Sequence, residues 1–484
     1  MIKFDHVTFQ YDTAETPAIK DITLHIKQGE LVLFCGKSGS GKSTITKLIN
    51  GLIPRGHEGK LMGEVTVNGT PISKLPMYAL SEMVGSVFQN PKTQFYNVDT
   101  TSELAFNLEN RGIDPAVITA SIDKVMQQFD ITHLLDRNIF ELSGGEKQII
   151  ACATVLLANP DIVVLDEPSS NLDMYSIKKL KEMIQYLKDQ GKTIVLVDHR
   201  LDYIMNDADR IVYIEDGEIA SVYDLAQFKS LSTAQYEEMG LRFVPHTAKF
   251  VQPAEETKHI EIKDFTYAYD RFSKQKQLDI ATAQIPTNEV VAIIGNNGSG
   301  KSTFAKSLSG LNKHFKGHVV YDNHTFKSRQ LLKQSYMVFQ DVNNQLFTEN
   351  LEQELKLLDQ QVDDAQVDEM LAQIHLLDKK AAHPFSLSGG EKQRLAIATA
   401  IMSHKRIIIF DEPTSGLDLF HMKKVAALIH SIKNHNKMIL IITHDKALIS
   451  EICSYVLHFA RGKIIDQYPL DEQGQQKLDA YFDV

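Results

Sequence analysis

The sequence predicts an α/β protein made twice over: two tandem P-loop domains, each built on a parallel sheet. Three observations carry this. The stretch Gly36-Lys37-Ser38-Gly39-Ser40-Gly41-Lys42-Ser43 recurs as Gly295-Asn296-Asn297-Gly298-Ser299-Gly300-Lys301-Ser302, both reading G-x-x-x-x-G-K-S. Apolar runs of strand length alternate with helical segments in both halves, the pattern of parallel α/β sheets. Later motifs recur in the same order, so the chain is an internal duplication whose period is too long for a solenoid.

Each glycine-rich stretch follows a short apolar run, Leu31 to Cys35 or Val290 to Ile294, and opens into a helix-like segment. Strand, tight turn and helix N-terminus are the context a P-loop needs. Its physics is anion capture. Glycines let successive backbone N–H groups turn toward phosphate oxygens, and the helix N-terminus adds partial positive charge. Lys42 and Lys301 are expected to reach the β- and γ-phosphates, and Ser43 and Ser302 to ligate Mg²⁺.

The first half opens on the alternating run Phe4 to Tyr11 and the second on Ile260 to Tyr269; both read as strands. The P-loops are offset by 295 − 36 = 259 residues. Leu142-Ser143-Gly144-Gly145-Glu146-Lys147-Gln148 recurs at Leu387 to Gln393, an offset of 388 − 143 = 245. Val163 to Glu167 recurs as Ile408 to Glu412, and His199 as His444, again at 245. The 14 extra residues of the first half (259 − 245) therefore lie between the two motifs, and part of them is expected near Ile53 to Gly63. Ile162 to Leu165, Thr193 to Val197, Ile407 to Phe410 and Met438 to Ile442 read as buried strands, and Asp216-Gly217 as a hairpin turn. A polar, weakly patterned region follows that hairpin. The expected division is 1–242, a link at 243–257, and 258–484.

Composition sets limits. The 484 residues are enough for two full cores, and 43% apolar with 23% charged is ordinary for a globular chain. A net charge of −11 argues against general affinity for nucleic-acid backbone. Cys35, Cys152 and Cys453 are too scattered for a disulfide frame or a zinc site, and a reduced compartment fits. No signal peptide is visible at Met1 to Asp5. The longest uncharged run, Gln148 to Pro160, has 13 residues, short of the roughly 18 that a membrane span requires.

In Leu142 to Gln148, Ser143 reads as an N-cap and Glu146 completes a capping box. A cap does not require two glycines, however. Gly144 and Gly145, like Gly389 and Gly390 behind Ser388, leave N–H groups open to a phosphate at a helix N-terminus. Asp166 and Asp411 end apolar strands and suit Mg²⁺ held largely through water, and Glu167 and Glu412 follow directly, placed to polarise an attacking water.

Together these motifs resemble the ATP-binding-cassette (ABC) ATPases, over both halves and nearly the whole chain. The resemblance implies an antiparallel β subdomain and a helical subdomain beside each parallel core. It implies ATP and Mg²⁺ as cofactors. It also implies a head-to-tail sandwich, in which Lys42 shares a nucleotide with Ser388, and Lys301 with Ser143. His199 and His444 would contact the γ-phosphate. Gln89 and Gln340 would sense Mg²⁺ and the attacking water. Tyr11 and Tyr269 match the aromatic that stacks on adenine, with a strand-face tyrosine as the competing reading. The expected nucleotide contacts are thus Tyr11, Gly36, Ser38, Gly39, Gly41, Lys42, Ser43, Thr44, Gln89, Ser143, Gly144 and Gly145 in one half. In the other they are Tyr269, Gly295, Asn297, Gly298, Gly300, Lys301, Ser302, Thr303, Gln340, Ser388, Gly389 and Gly390. Two departures stand out: Asn171 where the second half has Gly416, and Ile149 where it has Arg394. Neither removes a catalytic group, so two hydrolysis-competent sites are expected.

Gln89-Asn90-Pro91-Lys92-Thr93-Gln94-Phe95 and Gln340 to Phe347 look like the Q-x-x-x-x-Q pattern of energy-coupling-factor (ECF) and cobalt-type importer ATPases, and Thr101 to Phe106 continues the likeness. There this region receives helices of a membrane subunit. The expectation is an importer ATPase at the cytoplasmic face of the membrane, working with a transmembrane coupling subunit and a substrate-binding membrane subunit for a vitamin or other micronutrient. The alternatives are a fused sugar-importer ATPase, and a soluble twin-cassette protein acting on ribosomes. Intact second-site residues and the negative charge count against these two in turn.

Overall fold

The computed structural model describes residues 1–170, 172–242, 251, 258–270, 276–321, 324–359, 361–433 and 437–482. Asn171 and nearly all of the expected link at 243–257 lie outside the described residues. The chain divides into two compact units, Met1–Phe243 and Val244–Asp483.

In the first unit the central sheet has six strands in the order Glu218–Tyr223, Arg210–Glu215, Leu31–Cys35, Thr193–Val197, Ile162–Asp166 and Val84–Val87. It is parallel except for its edge hairpin, where Glu218–Tyr223 pairs antiparallel to Arg210–Glu215. Asp216 and Gly217 make that turn with φ of 48° and 86°, as two-residue hairpins demand. Leu31–Cys35 is buried throughout, because helices and a second sheet cover both faces of a parallel strand. That second sheet is antiparallel, in the order Ile19–Ile26, Ile2–Tyr11, Gly59–Val67, Thr70–Pro71. Phe4, Phe9, Phe34 and Ile45 fill the space between the sheets. Three helices, Thr100–Asn110, Pro115–Gln128 and Gly144–Ala158, form the helical part.

The second unit repeats the plan. Its six-stranded sheet runs Ser335–Val338, Ile407–Asp411, Met438–Ile442, Val290–Ile294, Tyr455–Ala460, Lys463–Pro469, beside an antiparallel sheet centred on His259–Tyr267. Here the strand expected to reach Tyr269 stops at Tyr267.

Two details go beyond what spacing alone showed. The extra residues of the first half fall on both sides of Gln89. Between P-loop and glutamine the offset drops from 259 to 340 − 89 = 251, so eight residues are lost before Gln89 and six after it. Of the later six, two are lost between Glu103 and the helix cap Asp114, set against Glu354 and Asp363, and four where Pro115–Gln128 has 14 residues against 10 in Asp364–Gln373. The polar region after residue 223 is also folded. Helices Leu225–Lys229 and Thr233–Glu238 each start with a capping box and bury Phe228 and Tyr236. Helices of 5 and 6 residues are too short to show a hydrophobic period.

Candidate functional site

Each P-loop joins a fully buried strand to a helix whose N-cap is a left-handed glycine, Gly41 at φ 101° or Gly300 at φ 103°. A side chain at Gly36 would place its Cβ 2.2 Å from the carbonyl oxygen of Ile214, and at Gly295 2.2 Å from that of Phe459. At the loop tips the opposite holds. Gly39 and Gly298 face open space, beside exposed Ser38 and Asn297, so the cradle is closed underneath and open above. The Lys42 ammonium, 4% exposed, lies across the loop and donates to the carbonyls of Gly36 at 2.9 Å and Lys37 at 2.7 Å. Lys301 does the same toward Gly295 and Asn296, at 2.5 and 3.0 Å. A buried ammonium inside a tight glycine-bearing turn that opens a helix N-terminus fits a polyphosphate.

The parallel crossovers then bring distant carboxylates to the loop. Ser43 Oγ donates to Asp166 Oδ1 at 3.1 Å, and Thr46 Oγ1 to Asp166 Oδ2 at 3.1 Å. In the second unit Ser302 hydrogen-bonds Asp411, while Ala305 stands at the place of Thr46. Burial pushes both aspartate carboxyls above their ordinary range. Hydroxyl and carboxylate oxygens clustered at a phosphate cradle are the hard donor set that Mg²⁺ takes.

Glu167 and Glu412 adopt left-handed backbone, φ 47° and 50°, a conformation costing a non-glycine residue about 1–2 kcal/mol. Their N–H groups hold them there by donating to Val197 at 2.7 Å and Ile442 at 2.9 Å. The turn aims the carboxylate into the site, and nothing in the sequence announces it. Gln89 Nε2 donates to Glu167 Oε2 at 2.7 Å, and His199 Nε2 lies 3.3 Å from Oε1. Burial pushes the Glu167 carboxyl up, but His199, Lys42 and Gln89 outweigh it and leave it below the ordinary value. His444 Nε2 lies 3.6 Å from Glu412 Oε1; there burial and the Asp411 charge dominate, and the Glu412 carboxyl is raised. Gln340 sits beyond the strand Ser335–Val338, as Gln89 does beyond Val84–Val87.

Ser143 and Ser388 cap their helices as expected, each inside a capping box with Glu146 or Glu391. Ile149 and Arg394 are both buried core positions. Arg394 Nε donates to the carbonyl of Ile374 at 3.1 Å, and Ile149 replaces that bond by apolar packing. Tyr11 and Tyr269 turn their hydroxyls to Thr44 and Thr303, at 3.3 and 3.1 Å, on the P-loop helices. Both tyrosines are thereby tied to the helix that follows their P-loop. Sequence reasoning passed over Thr46, and also Ser169 and Thr414, whose partners lie 29 and 31 residues away.

Cradle, oxygen donors and glutamate–histidine pair define a P-loop nucleoside triphosphatase with two sites' worth of residues. The ABC transporter family matches residues 19–170 and 278–415. A Treponema denticola protein, provisionally named an ABC transporter ATP-binding protein, is 43% identical over 476 residues, covering 96% of this chain and 97% of its own. A Methanosarcina mazei protein of the same name is 32% identical over 479 residues, covering 96% and 94%. The solved RNase-L inhibitor shares the two-domain fold with a TM-score of 0.69 at 22% identity, over 98% of this chain and 92% of that one. The chain belongs to the ABC transporter family of ATP-binding proteins. It is an ATPase whose cofactors are ATP and Mg²⁺.

Proposed function

We propose that the chain is the ATP-hydrolysing subunit of a membrane importer of the ECF type, driving uptake of a vitamin or other micronutrient through partner membrane subunits. One construction, present twice, carries this reading. Buried Glu103 accepts the N–H groups of Tyr96 and Asn97 at 3.0 and 2.9 Å, and buried Glu354 accepts those of Phe347 and Thr348 at 3.1 Å each. Both loops are further closed by Gln94 and Gln345, whose side chains accept from Phe88 and Phe339 N–H at 3.0 and 2.7 Å. The effect is to present Tyr96 and Phe347, 80% and 74% exposed, on stiffened loops seven residues past Gln89 and Gln340. Large exposed aromatics on a braced backbone suit an apolar partner segment.

In this reading Lys42 and Lys301 bind the β- and γ-phosphates. Ser43 with Asp166, and Ser302 with Asp411, hold Mg²⁺, assisted by Gln89 and Gln340. When bound, Mg²⁺ neutralises charge on the transferring phosphoryl oxygens. Glu167 and Glu412 orient the attacking water, and His199 and His444 contact the γ-phosphate. Tyr11 and Tyr269 stack on adenine. Gly144 and Gly145 behind Ser143, and Gly389 and Gly390 behind Ser388, offer their helix N-termini to phosphate oxygens. The proposed domains are 1–242 and 258–484, joined at 243–257.

The other reading is a ribosome-associated role, the setting of the ribosome-bound archaeal ABCE1, which shares 22% identity with this chain. A likeness at that level is one of fold. No described helix is long and apolar enough to cross a membrane, so a transport role needs partner subunits. Flotation of native cell membranes discriminates. The chain is expected with membranes, and in detergent with a multi-span subunit in stoichiometric amount, while Tyr96→Ser with Phe347→Ser releases it without weakening ATP binding. Recovery with ribosomes, or wholly free with membranes devoid of it, sinks the importer reading.

A further inference from the structure

The two histidine-bearing turns use the same carboxylate from different sequence positions. The first unit reads Asp198-His199-Arg200 after its strand, and the second reads Thr443-His444-Asp445. Matched on histidine, Asp198 stands where Thr443 does, and Arg200 where Asp445 does. The carboxylates nevertheless meet equivalent partners. Ser169 Oγ donates to Asp198 Oδ1 at 2.8 Å, and Thr414 Oγ1 donates to Asp445 Oδ2 at 3.0 Å. Ser169 and Thr414 are themselves related by the common offset, 414 − 169 = 245, and each is 1% exposed. One hydroxyl, two residues past the glutamate in each unit, thus finds a carboxylate supplied from opposite sides of the histidine.

The rest of each turn is rebuilt around that choice. Asp198, 2% exposed, also accepts from Tyr203 OH at 2.9 Å, His199 N at 2.7 Å and Arg200 N at 3.1 Å. Asp445 instead caps the helix Lys446–Ile452 through the N–H groups of Ala447 and Leu448. With Arg200 in that place no such cap is available, and the first unit continues into a short turn, Met205–Asp207. Arg200 adds a separate tie, Nη1 to the carbonyl of Leu172 at 3.3 Å. Asp198 also follows Val197, whose carbonyl holds the left-handed Glu167. One buried carboxylate therefore joins the turn behind the glutamate to the backbone carrying the histidine.

We propose that Asp198 is the positioning residue for His199, and that Asp198 and Asp445 are interchangeable solutions to one requirement: a buried carboxylate tying the histidine turn to the turn behind the catalytic glutamate. This rests on the reading of His199 as a catalytic group. Full-length protein carrying Glu412→Gln isolates the first site, and single-turnover hydrolysis of MgATP with enzyme in excess reads its chemistry. Asp198→Thr is expected to lower the rate constant at least tenfold while ATP affinity stays within threefold. Asp198→Thr with Arg200→Asp, which gives the first site the Thr-His-Asp order of the second, is expected to recover the parent rate within threefold. His199→Ala should be as slow as Asp198→Thr, and combining them should add nothing, as for residues acting as one unit. If Asp198→Thr does not fold, Asp198→Asn carries the same expectation at three- to tenfold, with the same absence of addition to His199→Ala. An unaltered rate in the folded Asp198 variant, no recovery in the double variant, or additive losses would overturn the proposal. A fast His199→Ala would instead overturn the role of the histidine.

Discussion

Gly144 separates what the fold needs from what the chemistry needs. It opens the helix Gly144–Ala158 with ordinary backbone, and a Cβ there would meet no atom within 4 Å. Nothing inside the domain therefore requires glycine. Replacing it by alanine removes unfolded-state freedom and improves helix propensity, worth roughly 0.5–1 kcal/mol. In a domain of this size that raises the unfolding temperature by about 1–4 °C. Gly36 is the contrast, because its Cβ would strike a backbone oxygen at 2.2 Å. If Gly144 is kept for close approach of a phosphate, the added methyl displaces one oriented N–H from the transferring group. Loss of one such donor typically costs about 10²–10³-fold in turnover. Gly144→Ala should thus be slightly more stable by scanning fluorimetry and at least tenfold slower in ATP hydrolysis. Gly389→Ala, equally unobstructed, should behave alike. A stabilised variant with ATPase within twofold of the parent would refute the phosphate-approach reasoning and leave Ser143 a helix cap only.

Two further outcomes are expected. Glu167→Gln and Glu412→Gln should each leave substantial and comparable residual ATPase, and the pair together should lose roughly 10²-fold or more; single variants differing more than tenfold would show that the sites are not both competent. Burial pushes the Glu391 carboxyl up, but Lys379 at 2.6 Å and the Ser388 N–H outweigh it and hold it at about 2 against an ordinary 4.5. Its contribution to stability is therefore present above pH 4.5 and lost as pH falls toward 2. Thermal unfolding at pH 6 and pH 3 should show a smaller acid loss in Glu391→Gln than in the parent, and equal losses would contradict the assignment.

The elements read from the sequence divide by how locally they are encoded. Leu31–Cys35, Thr193–Val197 and Met438–Ile442 were legible because strands covered on both faces are unbroken apolar runs. The capping boxes at Ser143 and Ser388 were legible because cap and partner are three residues apart. The helices Leu225–Lys229 and Thr233–Glu238 carry the same cap spacing, Asp224 to Gln227 and Ser232 to Gln235, but a single turn has no apolar period behind the cap to mark a helix start. The Q-x-x-x-x-Q spacing was visible, but its local use was not: Gln94 and Gln345 close their own loops onto backbone N–H groups.

By itself the sequence determined the duplication, the phosphate cradles and the identity of the carboxylates that follow the strands. These depend on contiguous residues, where spacing alone fixes geometry. The tertiary structure decided which of those groups meet. Strand order places Asp166 against Ser43 across 123 positions, and the left-handed turn at Glu167 is held by a carbonyl from the neighbouring strand. It also decided that Asp198 and Asp445, out of register in sequence, serve equivalent hydroxyls. Contacts between separate strands depend on how the sheet is assembled, and one-dimensional spacing carries no record of that assembly.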